Sequence, residues 1–236
     1  MTHVNLWSQP EHARGYLARA DSIPRRTEGE TALLEWVPAT ARRVLDLGSG
    51  DGRLLARVLD LLPDASGVAL DFSSEMLERL RARFGDAATS ATSATSAAGA
   101  RTSGRVAIIA HDLDQPLPDL GAFDAVVSSF AIHHVTDPRK RALYAEIFAA
   151  LAPGGMFCNL EHVASATDAL HLAFLETLDV APEDDDPSNK LCAVDTQLGW
   201  LRDMGFEDVD CHWKWRELAV LAGRRPLAPD GATVAG

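Results

Sequence analysis

A glycine-rich segment follows a short apolar run and precedes a helical pattern: Asp46-Leu47-Gly48-Ser49-Gly50-Asp51-Gly52. Glycines let the backbone turn sharply and approach a bound molecule closely. The N-terminus of the following helix favours negative charge, such as a carboxylate. Arg53 stands where a dinucleotide-binding fingerprint has its third glycine, so the spacing is GxGxG, preceded by an acid. The segment therefore predicts a ligand-binding loop, but not a dinucleotide-binding one.

Two more aspartates end the next two predicted strands. Asp71 follows the second strand, and Asp112 follows the third and precedes Leu113. A carboxylate at the first position can accept hydrogen bonds from both hydroxyls of a ribose. A carboxylate at the second can accept from an adenine amino group, and the next backbone N–H can serve a ring nitrogen. Because the carboxyl ends of parallel strands form the ligand edge of an open sheet, we expect these acids to lie with Asp46.

Strand and helix patterns alternate from residue 44 to residue 163. This alternation predicts a parallel sheet with helices on both faces. The predicted strands are 44–47, 67–71, 105–112, 123–130 and 156–163, with a turn at Pro153-Gly154-Gly155. Helices are predicted over 167–180 and from Asp195 to Met204. The segments 208–215 and 217–223 are joined too tightly for a crossover helix, which predicts an antiparallel pair.

Composition narrows the function classes. The chain has 236 residues, a net charge of −12 and a content of apolar residues typical of a globular fold. Such an acidic chain should repel phosphate backbones, which argues against a nucleic-acid partner. No run of about 18 apolar residues occurs and the first residues lack a signal pattern, so no membrane segment is expected. Cys158, Cys192 and Cys211 indicate neither a disulfide framework nor a zinc site, and they fit a reducing cytoplasm.

Five stretches, in order and spacing, resemble the class I S-adenosylmethionine-dependent methyltransferases: VLDLGSGDGR, VALDFSSEML, AHDLDQPLP, FDAVVSSFAIHHV and LAPGGMFCNLEHV. The resemblance covers about residues 30–223. It implies an α/β, Rossmann-like doubly wound fold, with a mostly parallel seven-stranded sheet, a reversed last strand and helices on both faces. It also implies S-adenosyl-L-methionine as cofactor, S-adenosyl-L-homocysteine as product and a small-molecule acceptor.

The resemblance also implies roles for individual residues. Gly48 and Gly50 would pass along the methionine part of the cofactor, and Asp46 would anchor its amino group. Asp71 would hold the ribose and Asp112 the adenine. The cofactor-binding residues implied in full are Asp46, Leu47, Gly48, Ser49, Gly50, Asp71, Phe72, Met76, Asp112, Leu113 and Ser129, with Tyr16 and Arg26 from an N-terminal segment that covers the cofactor in many relatives.

The two adjacent histidines His133 and His134 are the candidate catalytic bases. They follow the fourth strand, beside the expected methyl group, and imidazole titrates near neutral pH. The alternative is that one histidine caps or packs while the other lines the pocket. On an extended segment the two side chains would point in opposite directions, so the sequence does not choose between them.

Candidate substrate contacts are Trp7, His134, Glu161, His162 and Trp213. A surface turn is an equal alternative for Glu161 and His162. For Trp213 an aromatic stripe in the core is the better interpretation, because Trp215 shares its face of the strand. No metal is expected, since the acidic run 183–186 lacks the alternating ligands and the glycine of a calcium loop.

We expect one methyltransferase domain over residues 1–226. Within it, 1–37 would form a helical cap, 86–104 a low-complexity surface loop and 164–194 a substrate lid, and 227–236 would be a flexible tail. The oligomeric state would be a monomer or a homodimer.

Two other functions stay open. One is a tRNA-modifying transferase of the same fold, which a basic face spanning Arg25, Arg26, Arg42 and Arg43 would favour. The other is a protein that binds S-adenosylmethionine without catalysis.

Overall fold

The computed structural model describes residues 6–20, 22–85 and 104–228. The strands are β1 (Arg43–Leu47), β2 (Ser66–Asp71), β3 (Val106–Ala110), β4 (Phe123–Ser129), β5 (Leu151–His162), β6 (Glu207–Trp215) and β7 (Leu218–Arg224). The α-helices are α1 (Pro10–Ala20), α2 (Arg26–Leu34), α3 (Arg53–Leu61), α4 (Ser74–Phe84), α5 (Asp137–Ala150), α6 (Asp168–Thr177) and α7 (Val194–Asp203). Short 3-10 turns lie at Leu6–Ser8, Ile132–His134 and Pro182–Asp184.

All seven strands form one sheet in the order β3-β2-β1-β4-β5-β7-β6. The first five strands pair in parallel, whereas β7 runs antiparallel to both β5 and β6. The predicted fold class, with its reversed last strand and its antiparallel final pair, is confirmed. The parallel register brings the carboxyl ends of β1, β2, β3 and β4 to the same edge of the sheet.

Side chains alternate between the two faces of the sheet, so both faces carry a core. On β1, Val44 packs into one hydrophobic cluster and Leu45 into the other. Leu55 of α3 covers the first face, and Ile147 of α5 covers the second. This is the two-sided burial that apolar parallel strands require, and it leaves the strand ends as the place where polar side chains can reach a ligand.

The turn predicted at Pro153-Gly154-Gly155 is wrong, because these residues lie inside β5. Phe123 pairs with Leu151 and Ala125 pairs with Met156, so the extra residues of β5 form a bulge. Turn-forming residues are tolerated there because a bulge interrupts the hydrogen-bond ladder.

Several predicted segments fall partly or wholly outside the described residues. The low-complexity stretch 86–104 is described only at Gly104, and the tail 227–236 only at residues 227 and 228. The expected lid, 164–194, contains α6 and the 3-10 turn Pro182–Asp184. Among the residues that the structure describes, every helix is too short or too polar to cross a lipid bilayer.

Candidate functional site

A pocket lies at the edge of the sheet where β1, β2, β3 and β4 end. Its walls come from the glycine-rich loop, from the three segments that follow β2, β3 and β4, and from the N-terminal segment. The residues lining it are Trp7, Leu17, Arg26, Asp46, Gly48, Ser49, Gly50, Asp51, Arg53, Leu54, Asp71, Phe72, Met76, His111, Asp112, Leu113, Ser129, Phe130, Ala131, His134 and Val135. The structure thus brings most of the predicted cofactor residues together around one cavity.

The glycine-rich loop needs glycine at Gly48 for two reasons. Its φ of 62° lies in the left-handed region, and a Cβ there would stand 2.2 Å from the Cβ of Ala131. Gly50 also has a positive φ, 57°, but a Cβ at this position would meet no atom within 4 Å. The first glycine therefore lets β1 and the segment after β4 approach closely, whereas the second serves the turn alone.

Asp71 joins the ends of β1 and β2. One oxygen, Oδ2, accepts a hydrogen bond from the backbone N–H of Gly50 at 2.8 Å, and Oδ1 accepts from that of Ser73 at 2.9 Å. Burial raises the pKa of Asp71 to about 6, although these backbone donors oppose the shift. Since a carboxylate oxygen can accept more than one hydrogen bond, Asp71 can hold the loop and still receive a ligand hydroxyl.

Asp46 is a buried acid whose charge is not fully satisfied. Its side chain is 1% exposed, and Oδ2 has no hydrogen-bond partner among the described residues. Burial, with a smaller contribution from Asp71, raises its pKa to about 7. Ser129 Oγ and His111 Nε2 are likewise buried without a partner in the described part of the chain. Buried polar atoms are normally hydrogen-bonded, so these three indicate where a ligand would supply the missing partners.

Asp112 and Leu113, the predicted adenine contacts, also line the pocket. Asp112 accepts a hydrogen bond from the backbone N–H of Asp114 at 3.0 Å, and the carbonyl of Leu113 accepts from Arg139 at 2.6 Å. These contacts hold the segment after β3 against α5. The apolar side chains of Phe72 and Met76 line the same pocket from the segment after β2.

The sequence analysis missed a cluster of arginines around Glu30. Glu30 is fully buried, and its Oε1 accepts hydrogen bonds from the Nε of Arg26 and the Nε of Arg53, both at 3.0 Å. Its Oε2 accepts from Arg57 at 2.6 Å. Arg26 and Arg53 line the pocket, so Glu30 holds two guanidinium groups at its wall. The sequence shows Arg53 beside the glycines, but no pattern in the sequence pairs it with Glu30.

His133 and His134 lie on a 3-10 turn and not on an extended segment, so the alternation of an extended chain does not apply to them. In this tight turn their ring centroids are 4.0 Å apart. Of the two, only His134 is among the described residues that line the pocket. His133 is buried behind it, with Nδ1 2.7 Å from Oε1 of Glu161.

Glu161 is fully buried, so a surface turn is the wrong interpretation for this residue. Besides His133, it receives hydrogen bonds from the side chain of Asn159 and from the backbone N–H of His162. Burial raises the pKa of Glu161 and lowers that of His133 well below its usual value, because buried surroundings disfavour both charged forms. The ring of His162 contacts Glu217 at 2.9 Å instead of the pocket.

The two predicted substrate tryptophans lie in different places. Trp7 lines the pocket, with its ring centroid 4.8 Å from that of His134. Trp213 packs with Trp215 against the core, close to Gly29 of α2, which supports the core interpretation. For the predicted cofactor contact Tyr16, the side chain lies outside the part of the chain that the structure describes. Within that part, no cluster of histidine, cysteine, aspartate and glutamate has the composition to hold a metal ion.

Comparison with known families identifies the fold. Residues 44–155, which include β1 to the start of β5 and the pocket loops between them, match the family described as methyltransferase domain. This stretch, just under half of the chain, is thus similar to methyltransferase domains. Its glycine-rich loop and the three acids after β1, β2 and β3 all belong to this matched region.

Sequence relatives of the methyltransferase domain include uncharacterized methyltransferases of Mycobacterium bovis and Mycobacterium tuberculosis. They are 33% identical over 125 residues, which is 52% of this chain and 53% of theirs. The chain thus spans about half the length of the curated relatives it matches.

Solved structures similar to the methyltransferase domain extend the likeness to almost the whole chain. An O-methyltransferase family protein from Burkholderia thailandensis matches with a TM-score of 0.67 and 20% identity, over 94% of this chain and 62% of that one. A second similar structure is the O-methyltransferase NcsB1 from neocarzinostatin biosynthesis, in complex with S-adenosylmethionine and 2-hydroxy-5-methyl naphthoic acid. It matches with a TM-score of 0.62 and 21% identity, over 94% of this chain and 60% of that one. At these identities the likeness concerns the fold.

The two loop glycines make a matched pair for testing the close contact at Ala131. Gly48→Ala should destabilise the protein by about 2–4 kcal/mol, because it adds overpacking to the left-handed strain. Gly50→Ala should cost only about 1 kcal/mol, since its Cβ has room. Urea denaturation monitored by circular dichroism measures both. Equal losses for the two variants would contradict the close approach of Gly48 to Ala131.

Proposed function

We propose that this protein transfers a methyl group from S-adenosylmethionine to a small-molecule acceptor. The observation that carries the proposal is the set of acids at the strand ends, with Asp46 buried and short of partners beside the glycine-rich loop. The family of residues 44–155 supports the same cofactor.

The pocket residues fit the parts of the cofactor one by one. Asp46 Oδ2 would accept from the amino group, and Asp71 would accept from the ribose hydroxyls. Asp112 and the backbone N–H of Leu113 would serve the adenine. Arg26 and Arg53, at the wall next to the loop, would bind the carboxylate, because guanidinium groups suit planar anions.

In methyl transfer the protein aligns the reactants and, where needed, removes a proton. The cofactor, when bound, supplies a methyl group that its sulfonium already activates. His134 lines the pocket, and burial together with the neighbouring His133 lowers its pKa well below the usual value. At neutral pH the imidazole is therefore uncharged and able to accept a proton. We assign the role of base to His134 and a packing role to His133.

A small molecule is the acceptor that the pocket favours. Trp7, Phe130 and His134 provide aromatic walls beside Ser129, typical of a site for a small organic ligand. NcsB1 holds a naphthoic acid together with S-adenosylmethionine, which supports an aromatic or carboxylic acceptor here.

The tRNA-modifying alternative loses its main support. Arg26 is buried against Glu30, and Arg43 donates to backbone carbonyls instead of pointing away from the surface. Arg25 and Arg42 form ion pairs with nearby acids. Each of the four guanidinium groups is thus held by an acid or by backbone carbonyls, which does not support a shared basic face.

The buried Asp46 predicts how cofactor binding depends on pH. An ammonium group binds its ionised form, and with a free-state pKa of about 7 that form declines as pH falls. Affinity for S-adenosylhomocysteine should therefore decrease about fourfold from pH 8 to pH 6.5, measured by isothermal titration calorimetry. In Asp46→Asn the affinity should be weaker and nearly independent of pH over this range. A wild-type protein without binding at micromolar concentrations would refute the proposed cofactor.

Arg26 and Arg57 both bind Glu30, but only Arg26 lines the pocket. Arg26→Met should weaken the binding of S-adenosylhomocysteine about 10- to 100-fold, because a charged hydrogen bond is lost. The affinity for 5′-methylthioadenosine should stay unchanged, since that ligand lacks the amino-acid part. The control Arg57→Met should alter neither affinity. Equal weakening of the two ligands by Arg26→Met would mean a general disturbance of the pocket.

Methyl transfer itself can be tested on a panel of small phenols, carboxylic acids, amines and thiols, with mass spectrometry to detect the products. For an acceptor that reacts, His134→Ala should lower kcat by about 100-fold or more and leave the affinity for S-adenosylhomocysteine within about threefold. An unchanged kcat would remove His134 as the base. Cofactor binding without transfer to any acceptor would favour the non-catalytic alternative.

A further inference from the structure

Ser188, in the expected lid segment, contacts the pocket histidine and is itself bound by Asp186. The hydroxyl oxygen of Ser188 lies 3.0 Å from Nδ1 of His134. The same hydroxyl donates to Oδ1 of Asp186 at 2.7 Å, and that oxygen also accepts from the backbone N–H of Ser188 at 2.9 Å. The acidic run 183–186 lacks the pattern of a metal site, but Asp186 belongs to a chain of contacts that ends at His134.

The donors in this chain fix the position of one proton. A serine hydroxyl has a single hydrogen, and here Asp186 takes it, because an ionised carboxylate only accepts. The Ser188 oxygen must then accept from His134, so Nδ1 carries the hydrogen. The carbonyl oxygen of Ser188, 3.4 Å from Nδ1, is also an acceptor and favours the same tautomer. Nε2 is consequently the nitrogen with the lone pair.

The backbone next to Ser188 is fastened to the histidine turn. The N–H of Lys190 donates to the carbonyl of His133 at 2.7 Å, and its ammonium group donates to the carbonyl of His134. The fully buried Lys140 donates to the carbonyls of Val135 and Lys190. These contacts fix the backbone next to Ser188 relative to His134, and so support the hydrogen bond between the two side chains.

We propose that Asp186 and Ser188 are positioning residues that hold His134 as its Nδ1–H tautomer, with Nε2 presented to the pocket as proton acceptor. This inference rests on the proposed function, in which His134 takes a proton from the methyl acceptor. The proton moves from the acceptor to Nε2 while Nδ1 keeps its own. The imidazolium so formed is stabilised by Asp186 through Ser188. The contacts of Asp186 and Ser188 with His134 therefore both fix the expected lid segment against the pocket and prepare His134 to accept a proton.

The electrostatics around this chain agree with the assignment. Burial alone would raise the pKa of Asp186, but the hydrogen bonds from Ser188 outweigh it and the pKa is lowered, which keeps the carboxylate ionised. The other titratable groups facing this region are His12, whose Nε2 lies 3.5 Å from Asp186, and the buried pair His133 and Glu161. Lys190 adds a positive charge beside the carbonyl of His134.

Nuclear magnetic resonance of protein labelled with ¹⁵N in histidine tests the proposal without turnover. Long-range ¹H–¹⁵N correlations distinguish a protonated from an unprotonated ring nitrogen. In the wild type, Nδ1 of His134 should be protonated and Nε2 unprotonated. In Ser188→Ala and Asp186→Ala, the Nε2–H form should rise to about half of the population or more. The hydroxyl acceptor is then lost or no longer oriented, and the Ser188 carbonyl, at 3.4 Å, is too distant a partner to fix the tautomer by itself.

Two controls separate positioning from general damage. Ser188→Thr keeps the hydroxyl and should retain the wild-type tautomer. Ser165→Ala removes a different lid hydroxyl, one that donates to Glu217, and should leave His134 unchanged. A wild-type Nε2–H tautomer, or a Ser188→Ala protein that keeps Nδ1–H, would overturn the proposal. If the wild-type protein has the Nδ1–H tautomer but does not bind S-adenosylhomocysteine, the proposed function is refuted and the tautomer assignment is not.

Discussion

The contact between the Asp71 carboxylate and the backbone of Gly50 holds the pocket at the strand ends together. It ties the loop after β1 to the end of β2, and the N–H of Ser49 strengthens the connection by donating to the carbonyl of Leu70. Gly48, with its backbone close to Ala131, brings the segment after β4 against the same loop. The segment after β4 also carries His134, whereas Arg26 reaches the pocket from α2. The position of His134 relative to the glycine-rich loop therefore depends on this junction.

Burial raises the pKa values of Asp46 and Asp71 well above those of an exposed aspartate. A carboxyl group whose pKa rises from 3.8 to about 7 on folding, as at Asp46, binds protons more tightly in the folded than in the unfolded state. Its contribution to the free energy of unfolding is therefore most favourable below pH 3.8, declines as pH rises from 3.8 to about 7, and stays at its least favourable value above. A cationic ligand group next to this carboxylate would reduce that loss. The pocket thus carries a stability deficit at neutral pH that a suitable ligand relieves.

The sequence was sufficient for the strands and for the acids at their ends, because both depend on local patterns. An apolar run followed by aspartate identifies a strand and its ligand edge without knowledge of the partners, as at Asp71 and Asp112. Contacts between distant segments were beyond such patterns. Ser188 meets His134 across 54 positions of the chain, and Arg57 meets Glu30 across 27. Nor did the sequence indicate the 3-10 turn that places the rings of His133 and His134 side by side.

The position of β7 has a consequence for how the chain acquires its structure during synthesis. This strand is later in sequence than every other strand of the described sheet, yet it lies inside the sheet, between β5 and β6. Residues 218–223 are buried. While the nascent chain has not yet released these residues from the ribosome, the apolar edge of β5 stays unpaired and open to other polypeptides. Completion of the sheet is thus a late event, and a stalled or truncated product would expose an aggregation-prone edge.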